Sequence, residues 1–251
     1  MATLDCESLE SAMQSICTLY GIEKTTLVKF LRSVDLDDEF RRKTIHKDCA
    51  GHLHDLFHAE FGSPCHPLES VCWFHLTRIS KSADFSEGIL PLDLALDKVW
   101  TTVISIPRDS RTRAKLEKPR TNGVTNLLYT LKVGNRRAGG PFALLVRESA
   151  FCPKSVGNHD YLDITEIIED ICLGYQESYG TSIQVEISAG LAKCIVKFEA
   201  KPDGGSMPVE RALQYCWIKV HNDELSTTIN WCYDGGGETV PFTAIRKIDF
   251  V

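Results

Sequence analysis

Apolar and polar positions repeat with a helical period over roughly the first sixty residues. Three apolar stripes follow this spacing, at residues 9–20, 27–34 and 49–57. Gly21 is placed to end the first helix, and Thr25 or Thr26 to cap the second. The pattern predicts a helical N-terminal region over residues 1–64, with a boundary in the proline-flanked segment 65–68.

A longer apolar run begins at Val71 and carries one histidine and one threonine at alternating positions. In a β-strand, His75 and Thr77 point to one face of the sheet. The other face then takes Cys72, Phe74 and Leu76. A short helix is expected after the strand, capped by Ser82 and ended by Gly88.

The rest of the chain mixes the two periods. Helical patterns lie at residues 92–106 and 162–175, although the β-branched run at residues 101–106 is also compatible with a strand. Strand patterns lie at residues 142–146, 183–187, 194–198 and 239–251. Residues 212–220 and 227–233 flank a polar turn and are expected to form an antiparallel hairpin. These elements predict an α+β fold, with the helical region set on a mixed, largely antiparallel β body over residues 65–251.

Composition narrows the class of protein. The 251 residues carry a net charge of -6 and 43% hydrophobic side chains, as in an ordinary globular protein. No segment suits a membrane span and the N-terminus lacks the pattern of a secretory signal, so the cytoplasm is the expected compartment. Most of the ten cysteines lie in apolar runs, which predicts reduced thiols with Cys172, Cys194 and Cys216 buried.

Residues 107–122 are strongly basic, because Asp109 and Glu117 are the only acidic side chains among many basic ones. Such a segment is typical of a solvated, mobile insertion. The alternative is a positively charged rim of a binding site, which attracts the phosphates of a dinucleotide or of a nucleic acid.

Two ends of the chain carry a family resemblance. Near the front, His75-Leu76-Thr77 is followed by Gly-Ile-Leu-Pro at residues 88–91. Near the back, Gly-Gly-Gly-Glu-Thr-Val-Pro at residues 235–241 precedes an Ile-containing end strand. Together these motifs resemble the ADP-ribosyltransferase superfamily. The family's middle element, a Tyr or Ser on the second strand, corresponds to either Tyr161 or Ser149.

The resemblance implies NAD as the substrate and a role for each matched residue. His75 would contact a ribose hydroxyl, the Leu76 backbone the carboxamide, with Thr77 beside them, and Glu238 would be the catalytic carboxylate. Many members have Gly where Leu76 stands, and Glu186 is a competing carboxylate. A fixed carboxylate stabilises the positive charge that develops on the ribose as nicotinamide leaves. The implied activity is transfer of ADP-ribose to a protein or nucleic acid, or hydrolysis of NAD.

Two other functions stay open. The first is a non-catalytic binding or adaptor protein on the same fold. The second is a metal-dependent hydrolase, because six of the eight histidines lie between His46 and His75. His54 and His58 have the i, i+4 spacing that can place two imidazoles on one metal, although Asp55 stands where a zinc-protease helix has Glu.

Overall fold

Residues 2–42, 47–134 and 139–251 are described by the structure, which is a computed structural model. The fold is α+β, which confirms the predicted class. The helices of the described residues are α1 (Leu9–Tyr20), α2 (Lys24–Ser33), α3 (Leu36–Arg42), α4 (Cys49–Phe61), α5 (Leu92–Ser105), α6 (Ser110–Asn122), α7 (Leu127–Gly134), α8 (Pro153–Val156), α9 (Glu166–Tyr179), α10 (Gln184–Gly190) and α11 (Met207–Val220). None of these described helices is long and apolar enough to cross a bilayer.

The strands of the described residues are β1 (Ala2–Leu4), β2 (Leu68–Ile79), β3 (Phe142–Leu144), β4 (Ala192–Ala200), β5 (Cys232–Asp234) and β6 (Ile245–Phe250). They form a mostly antiparallel sheet in the order β5-β3-β2-β4-β6, with β1 paired to β2. β1 runs parallel to β2, and β2 runs antiparallel to β3. The long apolar run after Val71 therefore forms the predicted strand.

The chain divides into two compact units, each built from separate stretches of sequence. Unit 1 comprises residues 1–74, 144–158 and 198–233, and unit 2 comprises residues 75–143, 159–197 and 234–251. This division differs from the predicted boundary at residues 65–68. The N-terminal helices are not a unit by themselves, because the late helix α11 packs against α1, α2 and α4.

Helix α11 also corrects the hairpin predicted for residues 212–220 and 227–233. Its residues are buried on most sides, and its first turn carries Pro208, which suits a helix start. Arg211 is almost fully buried and binds Asp48, before α4, and the carbonyl oxygen of Thr228. These contacts hydrogen-bond the Nη1 and Nη2 atoms of this buried cation.

The strand predicted for residues 183–187 is also wrong, because this segment is helix α10. Val185 is 83% exposed whereas Ile187 is fully buried, so the two side chains do not share a face as alternation requires. Ile187 joins Trp100, Val103 and Ile171 in the core of unit 2.

Two further local predictions fail because side chains compete for backbone hydrogen bonds. No helix forms between Ser82 and Gly88, where the Ser80 hydroxyl accepts from the Ser82 N–H and the Asp84 carboxylate from the Ser86 N–H. Helix α2 starts after Glu23 instead of being capped by Thr25 or Thr26. By contrast, Gly21 ends α1 in the left-handed conformation as predicted.

The basic segment is ordered. Residues 110–122 form helix α6, which begins at the Asp109 carboxylate, buries Leu116 completely and leaves most of its other side chains exposed. Arg120 pairs with Asp97, and the Lys115 ammonium lies 4.8 Å from the ring centre of Tyr179.

All ten cysteines are free, and Cys172, Cys194 and Cys216 are buried as predicted.

Candidate functional site

His75 lies in the part of β2 that belongs to unit 2, and its Nδ1 atom is 2.7 Å from the carbonyl oxygen of Phe142. A carbonyl oxygen can only accept, so Nδ1 carries the hydrogen. Burial lowers the pKa of His75, although this hydrogen bond acts in the opposite direction. The imidazole is therefore neutral at physiological pH, and its Nε2 lone pair can accept a hydrogen bond from a ligand.

The Gly-Ile-Leu-Pro motif pairs directly with the late glycine-rich motif. Ile89 donates to the Val240 carbonyl oxygen at 2.9 Å and accepts from the Val240 N–H at 3.0 Å. Gly88 has φ of +85°, and a Cβ at this position would lie 2.1 Å from the Val240 carbonyl oxygen. Only glycine allows this close backbone approach. Two motifs that are far apart in sequence thus meet in unit 2.

The triple-glycine loop is held in place by backbone hydrogen bonds rather than being a free hairpin tip. Gly235 donates to the Pro141 carbonyl oxygen at 3.0 Å, and Gly237 to the Gly140 carbonyl oxygen at 2.8 Å. A Cβ on Gly235 would lie 2.6 Å from Pro141 Cδ, so this contact also requires glycine. Glu238 follows directly, with its N–H donating to the Gly235 carbonyl oxygen at 2.9 Å.

Residues 139–142 are hydrogen-bonded to His75, to the triple-glycine loop and to the start of α5. The Gly139 carbonyl oxygen accepts from the N–H of Leu92, at the start of α5, at 3.0 Å. The next two carbonyl groups accept from the glycine loop, and that of Phe142 accepts from His75. This four-residue segment therefore fixes the His75 ring, the loop that carries Glu238 and the start of α5 to one another. The backbone thus connects the position of a neutral imidazole acceptor to the loop that carries a carboxylate.

Glu238 departs from expectation in one respect. It was expected near the start of a late strand, but it lies in the loop between β5 and the Val240 bridge, with its side chain exposed. Thr77 lies on the same strand face as His75 and is half-buried, whereas Leu76 is buried on the opposite face.

The remaining candidates have other partners. Tyr161 donates to the Glu166 carboxylate at 3.2 Å and packs edge-on against the His159 ring. Ser149 belongs to unit 1, where its hydroxyl is buried without a hydrogen-bond partner among the described residues. The Glu186 carboxylate accepts from the Arg108 backbone N–H at 3.2 Å. Glu186 is therefore tied to the start of the α6 segment.

The histidine cluster gives no metal geometry in the described part of the chain. The ring centres of His54 and His58 are 6.4 Å apart, and His54 Nε2 lies 3.4 Å from the Tyr20 hydroxyl. Across the described residues, no three His, Cys, Asp or Glu side chains are grouped to hold a metal ion. His46 lies outside the described residues.

Sequence reasoning missed the segment 139–142, which reads as an ordinary Gly-Gly-Pro turn before a short strand. It acts through carbonyl oxygens, which leave no side-chain pattern; its only signal is the concentration of Gly and Pro next to an apolar run. Comparison with protein-family models, curated proteins and solved structures finds no match to this chain.

Proposed function

We propose that this protein binds NAD at the site around His75 and Glu238 and transfers ADP-ribose from it to a macromolecular acceptor, or to water. The observation that carries the proposal is the Ile89–Val240 bridge. It joins the two halves of the motif pattern that resembles ADP-ribosyltransferases, while residues 139–142 hold His75 against the same frame. If the two motifs resembled the family only by chance, there would be no reason for them to pair with each other in the structure.

The chemistry of the site follows from its parts. His75 Nε2 accepts a hydrogen bond from a ribose hydroxyl, because its Nδ1 hydrogen is already donated to Phe142. The bond between the ribose anomeric carbon and the nicotinamide nitrogen breaks, and nicotinamide leaves with the electron pair. The Glu238 carboxylate stabilises the positive charge left on the ribose. An acceptor hydroxyl, amine or water then bonds to that carbon and loses a proton.

One observation favours a second candidate, a non-catalytic NAD-binding or adaptor protein on the same fold. Glu238 is exposed, and a carboxylate in water stabilises charge less than one in a water-excluded site. Under either candidate, the free thiols suit the reducing cytoplasm.

The test is to measure NAD binding by calorimetry and nicotinamide release from NAD, with and without cell extract as the source of acceptor. Binding with turnover supports the transferase, and binding without turnover in any extract supports the adaptor. His75→Ala should weaken NAD binding by about tenfold, since it removes one ground-state hydrogen bond. His66→Ala is the matched control, because His66 is exposed in unit 1. Failure to bind NAD would reject the transferase and leave the adaptor as the candidate.

A further inference from the structure

Unit 2 contains a cavity of about 610 Å³ that the proposed NAD chemistry does not use. Its volume is in the range of small-molecule sites. Three basic side chains line it, together with two small residues and one aromatic ring. They are Arg78, Lys81, Lys193, Ala189, Ala192 and Phe250. The described lining contains no acidic side chain.

Arg78 is fixed at the cavity by backbone carbonyl groups. Its Nε donates to the Leu162 carbonyl oxygen at 2.8 Å, and its Nη1 donates to those of Ser188 and Leu191. Among the described residues, no partner engages Nη2, so two of the five guanidinium donors remain for a ligand. A guanidinium held in this way is already oriented before a ligand arrives, which lowers the entropic cost of binding.

Lys81 and Lys193 add two mobile cations. Both are exposed, and neither has an ion-pair partner within the described ranges. By contrast, the nearby acid Asp249 is engaged by Lys247 at 3.0 Å. Among the described lining side chains, three are cationic and none is acidic, which favours a phosphate group over a neutral ligand.

Phe250 supplies an aromatic surface beside these charges. It lies on β6 and is 50% exposed, so part of its ring is open to a ligand. The adjacent backbone is anchored, because the Val251 N–H donates to the Lys193 carbonyl oxygen at 3.2 Å. Nucleobases stack on such rings without regard to sequence.

The cavity is separate from the site around His75. His75 and Arg78 have opposite parity in the continuous strand β2, so their side chains leave opposite faces of the sheet. We infer that this cavity binds a nucleoside phosphate, with the phosphate held by Arg78, Lys81 and Lys193 and the base stacked on Phe250. The ligand is a free nucleotide or the phosphorylated end of a nucleic-acid strand. This inference does not rest on the proposed function.

The test is calorimetry on the whole protein with three probes. They are adenosine monophosphate, inorganic phosphate, and a short single-stranded oligonucleotide with and without a 5′ phosphate. Adenosine monophosphate should bind with a dissociation constant on the order of 0.1 mM and about tenfold more tightly than inorganic phosphate. A preference for the phosphorylated oligonucleotide identifies a strand end as the ligand, and a preference for the mononucleotide identifies a free nucleotide.

Variants separate the two parts of the site. Lys193→Glu should weaken adenosine monophosphate at least tenfold, and Phe250→Leu about tenfold with no effect on inorganic phosphate. Lys29→Glu and Phe151→Leu are the matched controls, because both residues are exposed and belong to unit 1. His75→Ala should leave adenosine monophosphate binding unchanged, so loss of NAD chemistry and loss of this site are distinguishable.

Three results would overturn the inference. One is absence of adenosine monophosphate binding at millimolar concentration to a protein whose thermal unfolding is normal. Another is equal weakening by Lys193→Glu and Lys29→Glu, which would indicate general electrostatic attraction. The third is equal affinity for inorganic phosphate and adenosine monophosphate, which would leave Phe250 without a role.

Discussion

His75 Nδ1 lies 2.7 Å from the carbonyl oxygen of Phe142, which decides how the imidazole is protonated. The hydrogen sits on Nδ1, and Nε2 is the acceptor. A histidine that must accept a ribose hydroxyl needs this tautomer. The backbone at the edge of β3 therefore prepares the ring for the role that the sequence resemblance assigns to it.

The lowered pKa of His75 predicts a pH-dependent stability. An unfolded histidine takes up a proton near pH 6.5, before the folded one does. The free energy of unfolding should therefore fall as the pH drops below about 6.5, and level off once the pH is below the folded pKa. Above about pH 6.5 both states are neutral, so the effect vanishes there.

The measurement is urea denaturation at pH 7.5 and at pH 5.5 for wild type and His75→Asn, whose amide can still donate to Phe142. The variant should lose less stability on acidification. Part of the slope should remain, since burial also lowers the pKa of His54. His66→Asn serves as the control. Identical pH dependence in wild type and His75→Asn would contradict the lowered pKa of the His75 imidazole.

The close approach at Gly88 predicts a large cost for the smallest substitution. In Gly88→Ala the new Cβ meets the Val240 carbonyl oxygen, so the Ile89–Val240 bridge must open or shift. We expect a loss of about 3 kcal/mol in the free energy of unfolding, together with loss of NAD binding. Gly123→Ala isolates the backbone term, because Gly123 has φ of +88° and a Cβ added there would have no neighbouring atom within 4 Å. It should cost about 1 kcal/mol. Equal losses of unfolding free energy in the two variants would mean that the Ile89–Val240 bridge does not contribute to stability.

Prediction from sequence succeeded where local pattern decides the structure. The strand β2 was predicted from its long apolar run, and the end of α1 was predicted from Gly21. Helix α11 was missed because its core-facing residues are apolar on most sides, which hides the helical period. From the residue before α10 onward, three β-branched residues at alternating positions imitated a strand, and tertiary packing of Ile187 decided otherwise.

The site divides in the same way. His75, Gly88 and the loop before Glu238 were found from their residue types. The segment 139–142 that joins them was not, because it acts through carbonyl oxygens between distant parts of the chain. The tautomer of His75 and the exposure of Glu238 likewise depend on tertiary contacts rather than on local sequence.

A buried carboxylate in unit 2 gives a stability prediction independent of the site. Asp170 is 2% exposed and lies 2.7 Å from the Lys132 ammonium, which also approaches Glu166 at 3.3 Å. Lys132→Met leaves this charge buried without its cation, so we expect a loss of about 3 kcal/mol in urea denaturation at neutral pH. Lys98→Met breaks an exposed pair with Glu87 and should cost less than about 1 kcal/mol. Similar losses for the two variants would show that Asp170 is not dependent on Lys132.

The last prediction concerns the carboxylate to which the proposed function gives the catalytic role. Glu238→Gln keeps the shape of the side chain and removes its charge, so nicotinamide release should fall by about two to three orders of magnitude. NAD affinity should change by less than about threefold, because the charge that Glu238 meets exists mainly in the transition state. Glu186→Gln is the matched control, since this exposed carboxylate of unit 2 binds the Arg108 backbone and should leave turnover near wild type. If turnover instead survives Glu238→Gln and is lost in Glu186→Gln, the carboxylate assignment is reversed, and Glu186 takes the role proposed for Glu238.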